Sequence, residues 1–261
     1  MPNQRCRAGP HSKSLDPAAL PRSGFTRRPL TVDLFLLLAL STLWGASYTF
    51  IRIAVATIPP ITAIAARTLI AGALLLAWIV ARGIALPRDP ALWRRLLLQA
   101  LLNSVVPFTL IAWAEQTVPA GLATILNSTS PALTLLGTWC LGGREPATPR
   151  ELFGVAAGLA GVCLIVGASA LAGLGAQVWP QLAIVSATVC YAGAAIYGRS
   201  FHGLSPAVPA AGSMLLGAAL LVPLSLVVDR PWALRPSLAS LAALVALAVL
   251  STVLASSSTS G

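Results

Sequence analysis

From Leu152 to Gly198 the chain carries no charged side chain. As one helix this stretch would reach roughly 70 Å at about 1.5 Å per residue, more than twice the roughly 30 Å hydrocarbon core of a bilayer. It must therefore turn back once, and Gly173, Gly175, Gln177 and Pro180 mark the place. Apolar runs close to the roughly 20 residues that a spanning helix needs recur along the rest of the chain. They lie at Leu34 to Ile53, Ile61 to Val80, Leu96 to Ala114, Gly121 to Leu141, Leu152 to Leu171, Pro180 to Gly198, Ala207 to Val228 and Leu238 to Ala255. Pro59 and Pro60, Pro87 and Pro90, Pro119, Pro146 and Pro149, Pro206 and Pro231 fall between these runs, where a missing amide donor costs least. The pattern predicts an all-α, polytopic helical membrane protein in which consecutive helices are antiparallel neighbours.

Only 9% of the residues are charged and 57% are hydrophobic, against the roughly 25% charge that covers a soluble domain. The formal charge of +10 raises nucleic acid as a partner, but no basic stripe with interleaved aromatics is present. Instead Arg5, Arg7, Lys13, Arg22, Arg27 and Arg28 sit in a Pro-, Ser- and Gly-containing start, residues 1–30, which reads as a disordered basic tail. With that tail in the cytoplasm, Arg82, Arg88, Arg94, Arg95, Arg144, Arg150 and Arg199 fall on the same side, and only Arg230 and Arg235 on the other. Cytoplasmic loops collect Arg and Lys, so the expected place is a cell (inner) membrane with the N-terminus inside. Arginine in place of lysine and an abundance of Ala and Leu suit a bacterial chain.

Cys6, Cys140, Cys163 and Cys190 have neither pairing nor metal spacing, and His11 and His202 make no metal pair. No Gly-rich phosphate loop, Cys-x-x-Cys pair or nucleophile beside a base occurs. The chain is read as a non-enzyme with no metal and no cofactor.

A constant offset brings Trp44 onto Tyr191, Arg52 onto Arg199, Pro59 onto Pro206, Leu74 onto Leu221 and Ser104 onto Ser251. It maps the first run onto the sixth, so the repeat is five helices long, and an odd number obliges the second copy to enter the membrane from the opposite side. Inverted repeats of this kind build secondary carriers.

Leu43-Trp44-Gly45-Ala46-Ser47-Tyr48, Arg67 after the Pro59-Pro60 turn, Ser130-Pro131 in the fourth run, Gly142-Gly143-Arg144-Glu145 after it, and Gly154 and Gly161 in the fifth together resemble an EamA-like member of the drug/metabolite transporter superfamily. The resemblance covers about residues 34 to 255. It implies ten helices in two inverted repeats of five, and movement of small metabolites without ATP hydrolysis. The expectation for this chain is about eight transmembrane helices from that 5+5 inverted-repeat transporter fold, lacking the last two helices. Residues 31–168 form the first repeat, and residues 178–261 an incomplete second repeat of three helices that ends in a polar, low-complexity stretch. The ninth helix of the family contributes to its central cavity, so poor transport by this chain alone is expected.

Polar groups inside hydrocarbon need a partner or a water-filled cavity. The substrate-binding candidates are Trp44, Tyr48, Arg67, Asn103, Asn127, Ser130 and Tyr191. Arg67 lies inside the second run; it either meets an anionic substrate group or cavity carbonyls, or is held by a neighbour and snorkels outward. Gln99, Asn103 and Ser104 precede Pro107, which loosens the helix beyond them. Asn127, Ser128, Thr129, Ser130 and Pro131 interrupt the fourth run: either they expose backbone groups to a substrate, or Ser and Thr cap the kink internally. Arg52 reads as an interfacial anchor and Glu115 as an exposed loop carboxylate, with proton coupling as its other role. Trp78, Trp93, Trp113, Trp139 and Trp179 read as aromatic belts.

The leading function is secondary transport, as exporter or permease, of a small organic metabolite by alternating access. A proton is the candidate coupling ion, the bilayer is the surrounding partner, and a homo-oligomer is the candidate assembly. The rival from another class is a non-transporting carrier remnant or a membrane scaffold subunit.

Overall fold

Prolines start the helices of this protein. Pro60, Pro90 and Pro149 are first residues of helices, while Pro119 and Pro206 immediately precede two others. Proline is suited to this position, because the first amides of a helix have no intrahelical acceptor and the ring already holds the helical φ. The computed structural model describes Leu38, Thr42 and residues 45–140, 148–166 and 174–257. Apart from Leu38, these belong to one compact unit, Ala39–Gly261.

The described residues are helical or irregular, with no strand among them. Helix α1 covers residues 45–54 of the described chain. It is followed by α2 (Pro60–Ala81), α3 (Pro90–Ala100), a π-helical turn (Leu101–Val105), α4 (Val106–Ala114), α5 (Ala120–Asn127) and α6 (Ser130–Cys140). Then come α7 (Pro149–Val166), α8 (Val178–Gly198), α9 (Ala207–Val228) and α10 (Leu238–Ser257).

Among the described residues, four helical stretches are long and apolar enough to cross a bilayer: Pro60–Ala81, Pro90–Ala114, Val178–Phe201 and Ala207–Val228. The other four of the eight expected runs differ for identifiable reasons. The first is described mainly from residue 45 onward. The fourth is divided between α5 and α6 at Ser128 and Thr129. The helix over the fifth, α7, starts before it at Pro149 and so takes in Arg150 and Glu151. The last contains a shorter apolar helix, Leu238–Val249.

Long-range hydrogen bonds show which helix ends lie together. At one end Arg95 Nη2 donates to the Ser200 carbonyl at 2.6 Å, joining the start of α3 to the end of α8. At the other, Arg52 Nη1 donates to the Glu115 carbonyl, and Thr57 Oγ1 donates to Ser240 Oγ at 2.8 Å. The Thr62 amide and hydroxyl both donate to Asp229 Oδ2, at 2.9 and 2.7 Å. The start of α2 thus meets the end of α9, while Leu75 and Ile79 near the end of α2 pack on Ala207 and Ala211 at the start of α9. The two helices run antiparallel, each 22 residues long. Gly72 makes their close approach possible: a Cβ there would stand 3.2 Å from the Leu215 amide nitrogen.

The main apolar cluster joins α1, α2, α4, α8, α9 and α10 through Ile51, Ile64, Ile111, Ala187, Leu221 and Leu247. Outward-facing Leu69, Leu74, Leu220, Leu224, Val227 and Val245 are exposed, as they must be where the surrounding solvent is lipid.

Candidate functional site

Two local breaks place polar groups in the interior. Pro107 has no amide to offer the Asn103 carbonyl, and its ring crowds that carbonyl. The helix responds with a π-helical turn over Leu101–Val105, in which the Val106 amide reaches back to the Leu101 carbonyl. Such turns re-aim side chains, and Asn103 sits within this one. Pro131 does the same to the Asn127 carbonyl, and α5 stops at Asn127. Ser128 Oγ and Thr129 Oγ1 turn back onto the Ile125 and Leu126 carbonyls at 2.6 and 2.7 Å. The hydroxyls of Ser128 and Thr129 therefore seal the break from within, while Asn127 and Ser130 on either side face a cavity.

That cavity has a volume of about 860 Å³, within the roughly 300–1,000 Å³ usual for small-molecule sites. Tyr48, Arg67, Asn103, Asn127, Ser130 and Tyr191 all line it. Trp44, the seventh candidate, lies outside the described residues. Ser47, Gln99, Phe108, Thr134, Thr138 and Arg199 complete the polar and aromatic lining. None of these was among the sequence candidates. The spacing of Ser130, Thr134 and Thr138, one helical turn apart on α6, is the sequence signal that would have found two of them.

Arg67 is 8% exposed and does not reach toward an interface; the snorkelling expectation is corrected. Its guanidinium lies 4.0 Å from the centroid of the Phe108 ring. Phe108 in turn meets Tyr191 edge-on, with ring centroids 6.1 Å apart. Tyr48 and Tyr191 line the same cavity as Arg67. In the same lining Gln99 Oε1, Asn127 Oδ1 and Ser130 Oγ are buried without a protein hydrogen-bond partner. Buried polar atoms are nearly always satisfied, so acceptors left over beside a buried guanidinium define a surface suited to a polar ligand. The lining extends along α8 to exposed Arg199, at the end where Arg95 meets Ser200.

At the opposite end Arg52 donates to the Glu115 carbonyl and, at 3.4 Å, to the Val118 carbonyl, and Ile51 and Ile111 are among the residues that line the cavity. The expected interfacial anchor is thus an interhelical clasp. Glu115 is 0% exposed, so its reading as an exposed loop carboxylate is corrected too. Glu115 lies one residue beyond the span Pro90–Ala114, and burial pushes its carboxyl up to about 9, with nearby Arg52 pulling the other way.

Apolar helices of spanning length around a polar, partly unsatisfied cavity define a multi-pass membrane transporter. Residues 32–167 match the EamA-like transporter family. Over 219 residues the chain is 30% identical to the uncharacterized inner membrane transporter YedA of Escherichia coli, covering 84% of this chain and 70% of that one. An uncharacterized transporter of Archaeoglobus fulgidus is 38% identical over 133 residues, 50% of this chain and 45% of the relative. A solved crystal structure of 23% identity shares the fold with a TM-score of 0.61, over 83% of this chain and 76% of that one. The chain belongs to the EamA-like transporter family. Membership implies a small-molecule substrate and a lipid bilayer around the helices, and the relatives are named as transporters, not enzymes.

Proposed function

We propose that this chain is a secondary carrier for a small organic molecule bearing an anionic group, working by alternating access around the cavity. The observation that carries the reading is Arg67, buried against Phe108 in the wall of an 860 Å³ cavity that also holds Gln99 Oε1, Asn127 Oδ1 and Ser130 Oγ. A guanidinium held in low dielectric attracts an anion strongly. The acceptors across the cavity would take the N–H or O–H groups of the same ligand. Tyr48, Asn103 and Tyr191 supply the remaining polar contacts, and Trp44, outside the described residues, remains a candidate contact on sequence grounds.

The two repeats, residues 31–168 and 178–261, are the moving halves in this reading. Their support is the pairing of α2 with α9, helices of equal length lying antiparallel at corresponding positions, as a two-fold axis in the membrane plane requires. With Arg82, Arg88, Arg94, Arg95, Arg150 and Arg199 turned to the cytoplasm, the cavity faces inward and the Arg52 clasp closes the outer side. The N-terminus is then cytoplasmic, in the inner membrane of a bacterial cell. Net movement in either direction, as exporter or permease, uses the same geometry. A scaffold subunit or carrier remnant would have no use for unsatisfied acceptors around a buried arginine, since such groups cost stability.

The test is a thermal-shift screen of the purified chain in lipid nanodiscs against amino acids, carboxylates and phosphate esters, with neutral and cationic analogues as controls. Anionic compounds should stabilise the chain, and the stabilisation should vanish in R67A and weaken in N127A. Stabilisation by cationic compounds alone, or hits indifferent to both substitutions, would overturn the proposal.

A further inference from the structure

The outer clasp contains an arginine and a glutamate that do not form an ion pair. Arg52 directs its guanidinium at two backbone carbonyls, those of Glu115 and Val118. The Glu115 carboxyl is fully buried, and neither Oε1 nor Oε2 has a hydrogen-bond partner. Ala114 before it and Val118 three residues on belong to a buried apolar cluster with Leu122, Ala123 and Ile184. Among the described residues, the titratable groups that face it are Arg52 and Tyr48 on α1 and Tyr191 on α8. An ionised carboxylate with no donor in such a place is very costly, and a group so placed neutralises instead.

Resting on the carrier reading above, we infer that Glu115 is a proton-binding site whose occupancy sets the outer gate: closing the Arg52 clasp takes up one proton on the Glu115 carboxylate, and opening releases it. The balance is simple. In the open state water reaches the carboxylate, which ionises and pairs with the Arg52 guanidinium. On closure Arg52 moves to the carbonyls of Glu115 and Val118, the carboxylate leaves water, and a solvated proton from the bulk passes from hydronium to one of its oxygens, leaving water. Reopening returns the proton, with no other bond made or broken.

The sign follows from burial. The carboxyl binds its proton more tightly in the closed state, where burial pushes it up to about 9, than in the open state, where hydration and Arg52 hold it at or below the usual value of about 4.3. Acid therefore favours closure, and the advantage is lost as pH rises through the closed-state value. Between roughly pH 5 and 9 the closed-to-open ratio should fall about tenfold per pH unit. An acidic exterior would hold the outer gate shut and turn the cavity toward the cytoplasm.

The experiment uses the full chain in nanodiscs with Cys6, Cys140, Cys163 and Cys190 replaced by alanine and V118C as reporter, since Val118 is buried in the closed clasp. The labelling rate by a water-soluble maleimide is measured from pH 5.5 to 8.5 and divided by the rate in an E115Q background, which cancels the thiol's own titration. The expected ratio rises about tenfold per pH unit. A ratio independent of pH overturns the proposal. If E115Q does not fold, E115D replaces Glu115 with another titratable group and each rate is divided by that of the same reagent with free N-acetylcysteine at the same pH: a retained slope with a displaced midpoint supports the proposal, and a ratio independent of pH overturns it. A second reporter, T134C in the cavity wall, separates this from the carrier reading. Reagent reaching T134C while V118C ignores pH removes the proton site alone, and a T134C that no reagent reaches from either side removes the carrier.

Discussion

Arg67 holds its guanidinium face-on to the ring of Phe108, 4.0 Å from the centroid. The pair lies deep inside a membrane protein, where a cation–π contact is worth about 2 kcal/mol or more once both groups are desolvated. Phe108 also keeps Tyr191 edge-on behind it. The arginine is thereby held in the cavity wall against an aromatic surface.

The first prediction concerns this pair. F108L keeps volume but removes the ring face, and should weaken binding of an anionic ligand by about tenfold while R67K, a point charge without the planar fork, weakens it by a similar amount. R67A should abolish it. Titration of the purified chain with any anion found by thermal shift measures all three; unchanged affinity in F108L would show that the ring does not position the arginine.

A second prediction follows from Pro107. In P107A an amide returns to the helix, the π-helical turn over Leu101–Val105 relaxes toward regular α-helix, and Asn103 rotates relative to the cavity. Thermal stability should hold or rise, while ligand binding falls by an order of magnitude or so. Loss of both stability and binding would mean that the proline is needed for packing alone.

Asp229 provides the third. It caps the first turn of α2 from the far end of α9, accepting from the Thr62 amide and hydroxyl. D229A should cost about 1–2 kcal/mol, the range for loss of a helix cap, and D229N about half of that because its amide oxygen still accepts. Melting curves in detergent measure both; equal losses would assign the effect to charge at the helix N-terminus.

The fourth compares two glycines. An added methyl at Gly72 meets the backbone of Met214 and Leu215 at 3.2 to 3.3 Å, whereas at Gly212 it meets the end of the Leu96 side chain at 2.9 Å. Backbone cannot step aside and a leucine tip can, so G72A should destabilise by about 1–3 kcal/mol and G212A by less. The reverse order would imply that α2 and α9 can slide apart more easily than Leu96 can change rotamer.

A fifth prediction addresses orientation. Reporter fusions after Arg88 and after Ala176 should lie on opposite sides of the membrane, with the first in the cytoplasm. Finding both on one side would undo the assignment of the cavity mouth and with it the placing of the Arg52 clasp.

The sequence made the helices legible because lipid imposes one rule on every segment within it: backbone groups must be satisfied inside the segment. Pro60, Pro90 and Pro149, expected between the runs, are the first residues of helices. Pro107 and Pro131 marked the two breaks, since a proline removes a known hydrogen bond at a known position. Even so, the reading was imperfect. The run from Gly121 to Leu141 is divided at Ser128 and Thr129 into two shorter helices. The hydroxyls there close the break internally, where the sequence left open whether backbone or side chain would do so.

Residue type and spacing alone therefore determined a helical membrane protein and picked out Tyr48, Arg67, Asn103, Asn127, Ser130 and Tyr191, which line its cavity. Tertiary structure decided which of them meet. Arg52 reads in the sequence as an interfacial anchor and Glu115 as an exposed loop carboxylate, yet the one is tied to carbonyls and the other is buried without a hydrogen-bond partner. The physical reason is that the energy of a charge depends on the dielectric and donors around it, and those are contributed by residues distant along the chain.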